Sequence, residues 1–202
     1  MQKLQTEEKM QKAIFLDRDG TLNEEMGYIN HASRFKVFDY TFKAIRILNN
    51  SGFLVFVITN QSGLARGYFD EDLLSDIHNR FIEDAKKEDA IIEQVYFCPH
   101  HKDGVIKKYK KDCDCRKPKP GMLLKARDEY NLSLENSFMI GDRYKDIQFG
   151  QKNNLSTIMV LSGYGLGEFT YQRKSWDKHP DFICKNVLEA AMLIEKIETS
   201  EL

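Results

Sequence analysis

Apolar residues along this chain fall into short dense runs, separated by longer stretches in which they recur every three or four positions. The first run covers residues 13–16. Residues 53–58 form a stronger one, nearly continuous in β-formers, and others lie at 91–97, 137–140, 157–161 and, more weakly, 181–184. Runs of this length without polar alternation predict strands covered on both faces, as in a parallel sheet.

Helical spacing fills the intervals. Phe42, Ile45 and Leu48 share one face, and Gly52 follows where a C-terminal cap belongs. Asp70 is placed to cap a helix carrying Leu73, Leu74, Ile77 and Phe81. Pro120 suits the first turn of a helix through Leu123, Leu124 and Ala126, and Asn186 can start a last one with Val187, Ala190, Leu193 and Ile194. Strand and helix therefore alternate. This predicts an α/β fold: a Rossmann-like, doubly wound parallel sheet with helices on both faces, whose ligand sits beyond the carboxyl ends of the strands. Phe35, Phe38 and Phe42 read as core aromatics.

Composition narrows the class. The chain has 202 residues, 42% of them apolar, enough for one domain with a core. We expect residues 1–12 to be a polar extension and residues 13–202 a single domain. A formal net charge of −1 argues against nucleic acid as a partner. No apolar run approaches the ~18 residues of a membrane span, and the first residues lack the apolar stretch of a signal peptide. The expected setting is cytoplasmic, with no membrane partner and a monomer as the default assembly. Four cysteines suit that setting better as thiols or metal ligands than as disulfides.

The residues that follow the strands carry the chemistry. The first strand runs into Asp17-Arg18-Asp19-Gly20-Thr21, the second into Thr59-Asn60-Gln61-Ser62-Gly63, and the fourth into Gly141-Asp142-Arg143-Tyr144-Lys145-Asp146. Lys117 lies in the loop before the Pro120 helix. Like charges gathered so closely need a cation, and an all-oxygen set suits Mg²⁺. The expected ligands are Asp17, Asp142 and Asp19, the last through its backbone carbonyl. Asp17 is the expected nucleophile, and Asp19 the general acid and base. Thr59 and the Asn60 backbone N–H are placed to hold phosphoryl oxygens, Lys117 to offset their charge, and Asp146 to orient Lys117 or metal-bound water.

The same residues resemble the ordered motifs of haloacid dehalogenase-type phosphatases. Asp17 to Thr21 is similar to the D-x-D-x-T motif, Thr59-Asn60 to the second motif, Lys117 to the third, and Gly141-Asp142 with Asp146 to the fourth. The resemblance spans about residues 13–160. It implies hydrolysis of a phosphate monoester through an aspartyl-phosphate.

A second constellation brackets a lysine-rich loop. Cys98-Pro99-His100-His101 and Cys113-Asp114-Cys115 supply three thiolates and one imidazole, the ligand count of a closed structural Zn²⁺ site. Composition leaves His100 and His101 as equal choices. Lys107, Lys108, Lys110 and Lys111 read as a solvated loop that could also attract an anionic substrate. Cys184 reads as a small core residue.

These clusters resemble one branch of that superfamily, the heptose-bisphosphate and histidinol-phosphate phosphatases. Cys98 to His101, Cys113 to Met122, Thr59 to Gly67 and Gly27-Tyr28 carry the likeness. It implies no large cap domain, with three short inserts in its place, one of them the zinc-stapled loop 98–115. It favours His100 over His101 as the fourth zinc ligand. It also implies substrate contacts from Glu25, Met26, Gly27 and Tyr28, and from Asn60, Gln61 and Ser62. Arg116 would recognise the substrate, its planar fork suited to a second phosphate. Arg143 stands where the branch often has lysine. The implied substrate is a small sugar phosphate, first the 7-phosphate of D-glycero-D-manno-heptose 1,7-bisphosphate, with histidinol phosphate as the alternative. A zinc-stapled binding module without catalysis is the reading from a different class.

Overall fold

The computed structural model describes residues 10–200; the polar extension expected at the start of the chain otherwise lies outside the described residues. Six parallel strands form one sheet: β1 (Gln11–Leu16), β2 (Leu54–Asn60), β3 (Gln94–Cys98), β4 (Leu132–Gly141), β5 (Ser156–Val160) and β6 (Phe182–Cys184), in the order β3-β2-β1-β4-β5-β6. Gln11 and Lys12, read as extension, belong to β1.

Side chains alternate across the sheet, and both faces are apolar. Ile14, Leu16, Val55, Val57, Ile140 and Ile158 point to one side. They pack against α1 (Thr41–Asn50), the far end of α3 (Glu71–Lys87) and α7 (Val187–Ser200). Ala13, Phe15, Phe56, Ile58 and Met139 point to the other, against α4 (Gly121–Tyr130) and α5 (Tyr144–Lys152). Phe35 meets Phe81 edge-on and Phe42 packs on it at a tilt, so these two aromatics join the core as expected, whereas Phe38 stacks on Tyr40 and is not part of that cluster. Each such side chain removed from water contributes about 1.5–3 kcal/mol. Cys184 is buried in the first of these clusters.

Asp70 caps α3, its side chain accepting from Leu73 N at 2.9 Å. β4 starts earlier than its apolar run. It pairs with β1 through an irregularity between Lys12 and Ile14, where Ser137 Oγ accepts from Ala13 N at 2.9 Å and donates to Ser133 O at 2.5 Å. β3 starts later than its run: Ile91 lies outside it and is exposed. Two helices carry no stripe strong enough to predict them: α2 (Gly63–Arg66), a single turn, and α6 (Gly165–Gln172), which opens Gly-Leu-Gly and leaves Leu166 and Tyr171 exposed. No helix among the described residues is long and apolar enough to cross a membrane.

The strand order reverses between β1 and β4. Neighbouring connections leave in opposite directions there, which opens a crevice at their carboxyl ends. Asp17 directly follows β1 and Asp142 directly follows β4, so the two carboxylates stand side by side at that crevice.

Candidate active site

Asp17, Asp142 and Asp146 are all buried, and each offers a carboxylate oxygen within 4.8 Å of the others. Lys117, 4% exposed, reaches in from the loop before α4. Its Nζ donates to Asp17 Oδ1 at 2.6 Å and pairs with Asp146 Oδ1 at 2.7 Å. Burial works against charge on Lys117, but Asp146 and Asp17 outweigh it and hold the ammonium above its ordinary range. The loop that delivers Lys117 is clasped by one side chain. Asn60 Oδ1 accepts from Lys117 N at 3.0 Å, and Asn60 Nδ2 donates to Lys117 O at 3.2 Å. The other oxygen of Asp146 accepts from Arg143 N at 3.2 Å, at the start of α5.

Asp142 has the tightest surroundings. Its Oδ2 accepts from Tyr164 N at 2.8 Å, whereas Oδ1 is buried with no hydrogen-bond partner. Gly20 and Gly163 flank it with φ of +82° and +53°, and a Cβ at either would lie 2.3 Å from Oδ2. Only glycine permits both the backbone conformation and that approach. Burial, with Asp17 and Asp146 close by, pushes the Asp142 carboxyl up to about 9. Burial also pushes Asp17 up to about 7, against the pull of Lys117. A buried carboxylate oxygen with an unanswered lone pair, facing two more carboxylates, fits a hard divalent cation.

The side chain of Asp19 stands apart from the carboxylate cluster. Oδ1 accepts from Arg18 Nε at 3.2 Å, Arg18 Nη2 at 2.9 Å and Asn23 Nδ2 at 3.0 Å; Oδ2 accepts from Arg18 Nη2 and Gln61 Nε2, both at 2.8 Å. Burial alone would raise this carboxyl, but Arg18, Asn23 and Gln61 hold it below the usual range. The side chain is thus committed to these donors, which leaves the backbone carbonyl as the atom Asp19 could offer a cation.

Asp17, Asp19, Asn60, Lys117 and Asp146 line one cleft of about 320 Å³, the size of a small-ligand site, whereas the fully buried Asp142 does not line it. Asp17, Asp19, Thr59, Lys117 and Asp146 form its floor. Glu25, Gly27, Tyr28, Asn60, Gln61 and Ser62 line its walls, with Arg116 and Arg143. Met26 is the exception among the expected contacts and does not line the cleft. It neighbours Gly27, whose φ of +73° turns the chain there. Thr59 is buried, and its Oγ1 accepts from Gln61 Nε2 at 2.9 Å.

The second constellation converges beside this cleft. Cys98 Sγ lies 3.5 Å from Cys113 Sγ and 3.2 Å from Cys115 Sγ, and the latter two are 3.2 Å apart. His100 Nδ1 lies 3.3 Å from Cys115 Sγ and 3.9 Å from Cys98 Sγ. These separations are far beyond an S–S bond of about 2.05 Å. They approximate the edges of a tetrahedron around a metal with ligand bonds of about 2.0–2.3 Å, so the residues fit zinc. His101 is outside the group and lines the cleft instead, its Nε2 3.2 Å from Arg66 Nη2. None of the four loop lysines lines the cleft, and Lys108 pairs with Glu71.

A Pasteurella multocida protein named D-glycero-beta-D-manno-heptose-1,7-bisphosphate 7-phosphatase is 37% identical over 191 residues, covering 94% of this chain and all of that protein. The chain belongs to the haloacid dehalogenase-like phosphatases. An Escherichia coli protein of the same name is 40% identical over 152 residues, 75% of this chain and 80% of that one. The profile of the family described as HAD-hydrolase-like matches residues 114–190. Among solved structures, a D,D-heptose 1,7-bisphosphate phosphatase from B. bronchiseptica, complexed with magnesium and phosphate, superposes with a TM-score of 0.81 at 26% identity. The match covers 92% of this chain and 99% of that one. This phosphatase is therefore an enzyme, and the non-catalytic binding module is set aside.

Several residues of the phosphatase cleft escaped sequence reasoning: Arg66, His101, Lys145 and Tyr164. Tyr164 sits in a glycine-rich turn directly after β5, and position after a strand is a signal that could have flagged it. Arg143 is pinned from this side. Its Nε donates to Glu168 Oε1 at 3.1 Å, and its guanidinium lies 4.4 Å from the Tyr164 ring centroid.

Proposed function

We propose that this phosphatase removes the 7-phosphate of D-glycero-D-manno-heptose 1,7-bisphosphate through an aspartyl-phosphate on Asp17. The chemical half rests on one observation above all: Asp17 and Asp142 meet at the β1–β4 crevice, where Asp142 Oδ1 is buried without a hydrogen-bond partner. The substrate half rests on the likeness, over nearly the full length, to proteins of that name.

Asp17 lies at the floor with one oxygen tied to Lys117, so its other oxygen is the one to attack phosphorus. Lys117, fixed by Asp146 and by the Asn60 clasp, presents fixed charge to the transferring oxygens without having to reorganise. Thr59 and the Asn60 N–H hold the phosphoryl group from the β2 side. Asp19, protonated once the phosphate dianion beside it raises its carboxyl, gives that proton to the departing alkoxide and regains one from the water that opens the aspartyl-phosphate. Mg²⁺, held by Asp17, Asp142 and the Asp19 carbonyl, would supply charge neutralisation and alignment. Zn²⁺, held by Cys98, His100, Cys113 and Cys115, would serve structure alone, because its ligand set is closed.

Arg116 distinguishes the two substrates. Its Nη1 donates to His100 O at 3.2 Å, which docks the guanidinium on the zinc loop at the cleft wall. A second phosphate would be met there; histidinol phosphate has none. The test is a panel of phosphorylated metabolites with Mg²⁺, scored by phosphate release, alongside Asp17→Asn. The bisphosphate should be preferred, and the variant should lose at least about 10³-fold in kcat with an unchanged circular dichroism spectrum. Near-wild-type turnover by Asp17→Asn removes the covalent mechanism, and preference for histidinol phosphate moves the enzyme to the other branch.

A further inference from the structure

Arg18 stands between the two catalytic aspartates in sequence, yet it does not line the cleft and is 1% exposed. A guanidinium is costly to bury unless its N–H groups are answered. Two edges of Arg18 are answered by Asp19, as described above. The third is answered from far away: Nη1 lies 2.9 Å from His78 Nε2, on α3, sixty residues along the chain. His78 is 6% exposed and packs on Phe97, with ring centroids 5.8 Å apart. The guanidinium itself lies 5.4 Å from the Phe35 ring centroid.

Arginine only donates, so His78 Nε2 must accept. That requires a neutral ring with its proton on Nδ1. A neutral acceptor on a helix therefore tethers the arginine that grips both oxygens of Asp19. The other donors to Asp19, Asn23 and Gln61, belong to cleft loops. Of its three partners, Arg18 is the one tied to a helix packed into the core.

We propose that His78 is a positioning residue for proton transfer: through Arg18 it fixes the orientation in which Asp19 serves the leaving group. The proposal rests on the acid–base role of Asp19 given above. Without an acceptor at position 78, Nη1 faces a dry apolar pocket, and Arg18 shifts and takes the carboxylate with it. A merely structural His78 would lower turnover of every substrate alike. A positioning His78 matters only where the leaving group needs a proton. An alkoxide does; p-nitrophenolate departs unaided. The ratio kcat/KM reports the steps up to that departure, so later hydrolysis of the aspartyl-phosphate does not mask the difference.

The experiment measures kcat/KM of the full chain with Mg²⁺ for the sugar phosphate that the wild type uses best and for p-nitrophenyl phosphate. The variants are His78→Leu, His78→Met and His78→Gln, whose amide oxygen can accept in place of Nε2. The apolar variants should lose about 10–100-fold on the sugar phosphate and under about threefold on the aryl ester, and His78→Gln should stay within about threefold of wild type on both. Equal losses on both substrates, no loss on either, or failure of glutamine to restore activity overturns the proposal. Should neither apolar variant fold, Arg18→Lys decides: it keeps the charge but not the fork, and must show the same split. Asp19→Asn is the control for the underlying reading. If it shows no split, Asp19 is not the acid; if it splits and the His78 variants do not, only the role of His78 falls.

Discussion

A histidine held neutral by a buried arginine has a consequence for stability as well as for catalysis. Burial first, and then the positive charge of Arg18, push His78 down to about 3, with Asp19 pulling weakly the other way. The unfolded chain binds a proton at this histidine near pH 6.5, and the folded chain does not. Falling pH therefore favours the unfolded state: the contribution is intact above pH 6.5 and is lost progressively toward pH 3. At pH 5 the loss amounts to about 2 kcal/mol. Urea titrations of wild type and His78→Gln at pH 7 and pH 5 read this out, because other groups titrate in both proteins. The variant should lose less stability between the two pH values by about that amount; parallel losses would show that His78 is protonated in the native state. At this scale the sequence was uneven. Asp17, Asp142 and Lys117 were legible because each follows a strand or precedes a helix in a recognisable order. Arg18 was not, because whether a charged side chain in a turn faces solvent or core depends on a partner sixty positions away.

Elements were legible where burial imposes a period and obscure where something else builds them. All six strands of the sheet overlap apolar runs, since a parallel strand covered on both faces cannot hide its composition. α2 and α6 escaped because one turn is too short for a stripe and because α6 leaves Leu166 and Tyr171 exposed, with Tyr164 at its N-cap lining the cleft. The early start of β4 escaped because the polar residues Ser133, Glu135 and Asn136 interrupt the run, although Leu132 and Leu134 pack on the second face of the sheet and the Ser137 hydroxyl bridges Ala13 to Ser133. The loop between β3 and α4 has little apolar content, and four soft ligands converge inside it. We propose that metal binding is its means of folding. Arg116 and Lys117 follow directly after the last of these ligands, so the loop also sets two of the cations of the cleft. Cys113→Ser should copurify without zinc, melt at least about 5 °C lower, and show a raised KM alongside the lower stability. Metal analysis by plasma emission and calorimetry test this. A variant that lacks zinc but melts like wild type would show that the loop needs no staple.

Across the whole molecule, charge is nearly balanced, yet the cleft concentrates cations above a carboxylate floor. Arg66, Arg116, Arg143 and Lys145 stand around the mouth, whereas Asp17, Asp142 and Asp146 gather beneath. Such a field draws in an anion and turns its phosphoryl end toward the floor. Holding one phosphate at the floor leaves the rim cations for a second negative group. Two of them are prevented from wandering: Arg116 by the carbonyl of His100, and Arg143 by Glu168 and the Tyr164 ring. Arginine that is already oriented loses little freedom on gripping a phosphate, so its hydrogen bonds count in full toward binding. A charge-assisted contact of this kind contributes about 1.5–3 kcal/mol, or roughly 10–100-fold. Arg116→Ala should therefore lose roughly 10–100-fold in kcat/KM on the heptose bisphosphate, with under about threefold change on histidinol phosphate, which offers nothing for that cation to hold. The loss should appear mainly in KM if the second phosphate is held equally in ground and transition states, and in kcat if its binding aligns the 7-phosphate with Asp17. Equal losses on the two substrates would mean that Arg116 supports the loop rather than the ligand. The selectivity of the cleft would then have to come from Arg66, Arg143 or the Glu25–Tyr28 wall.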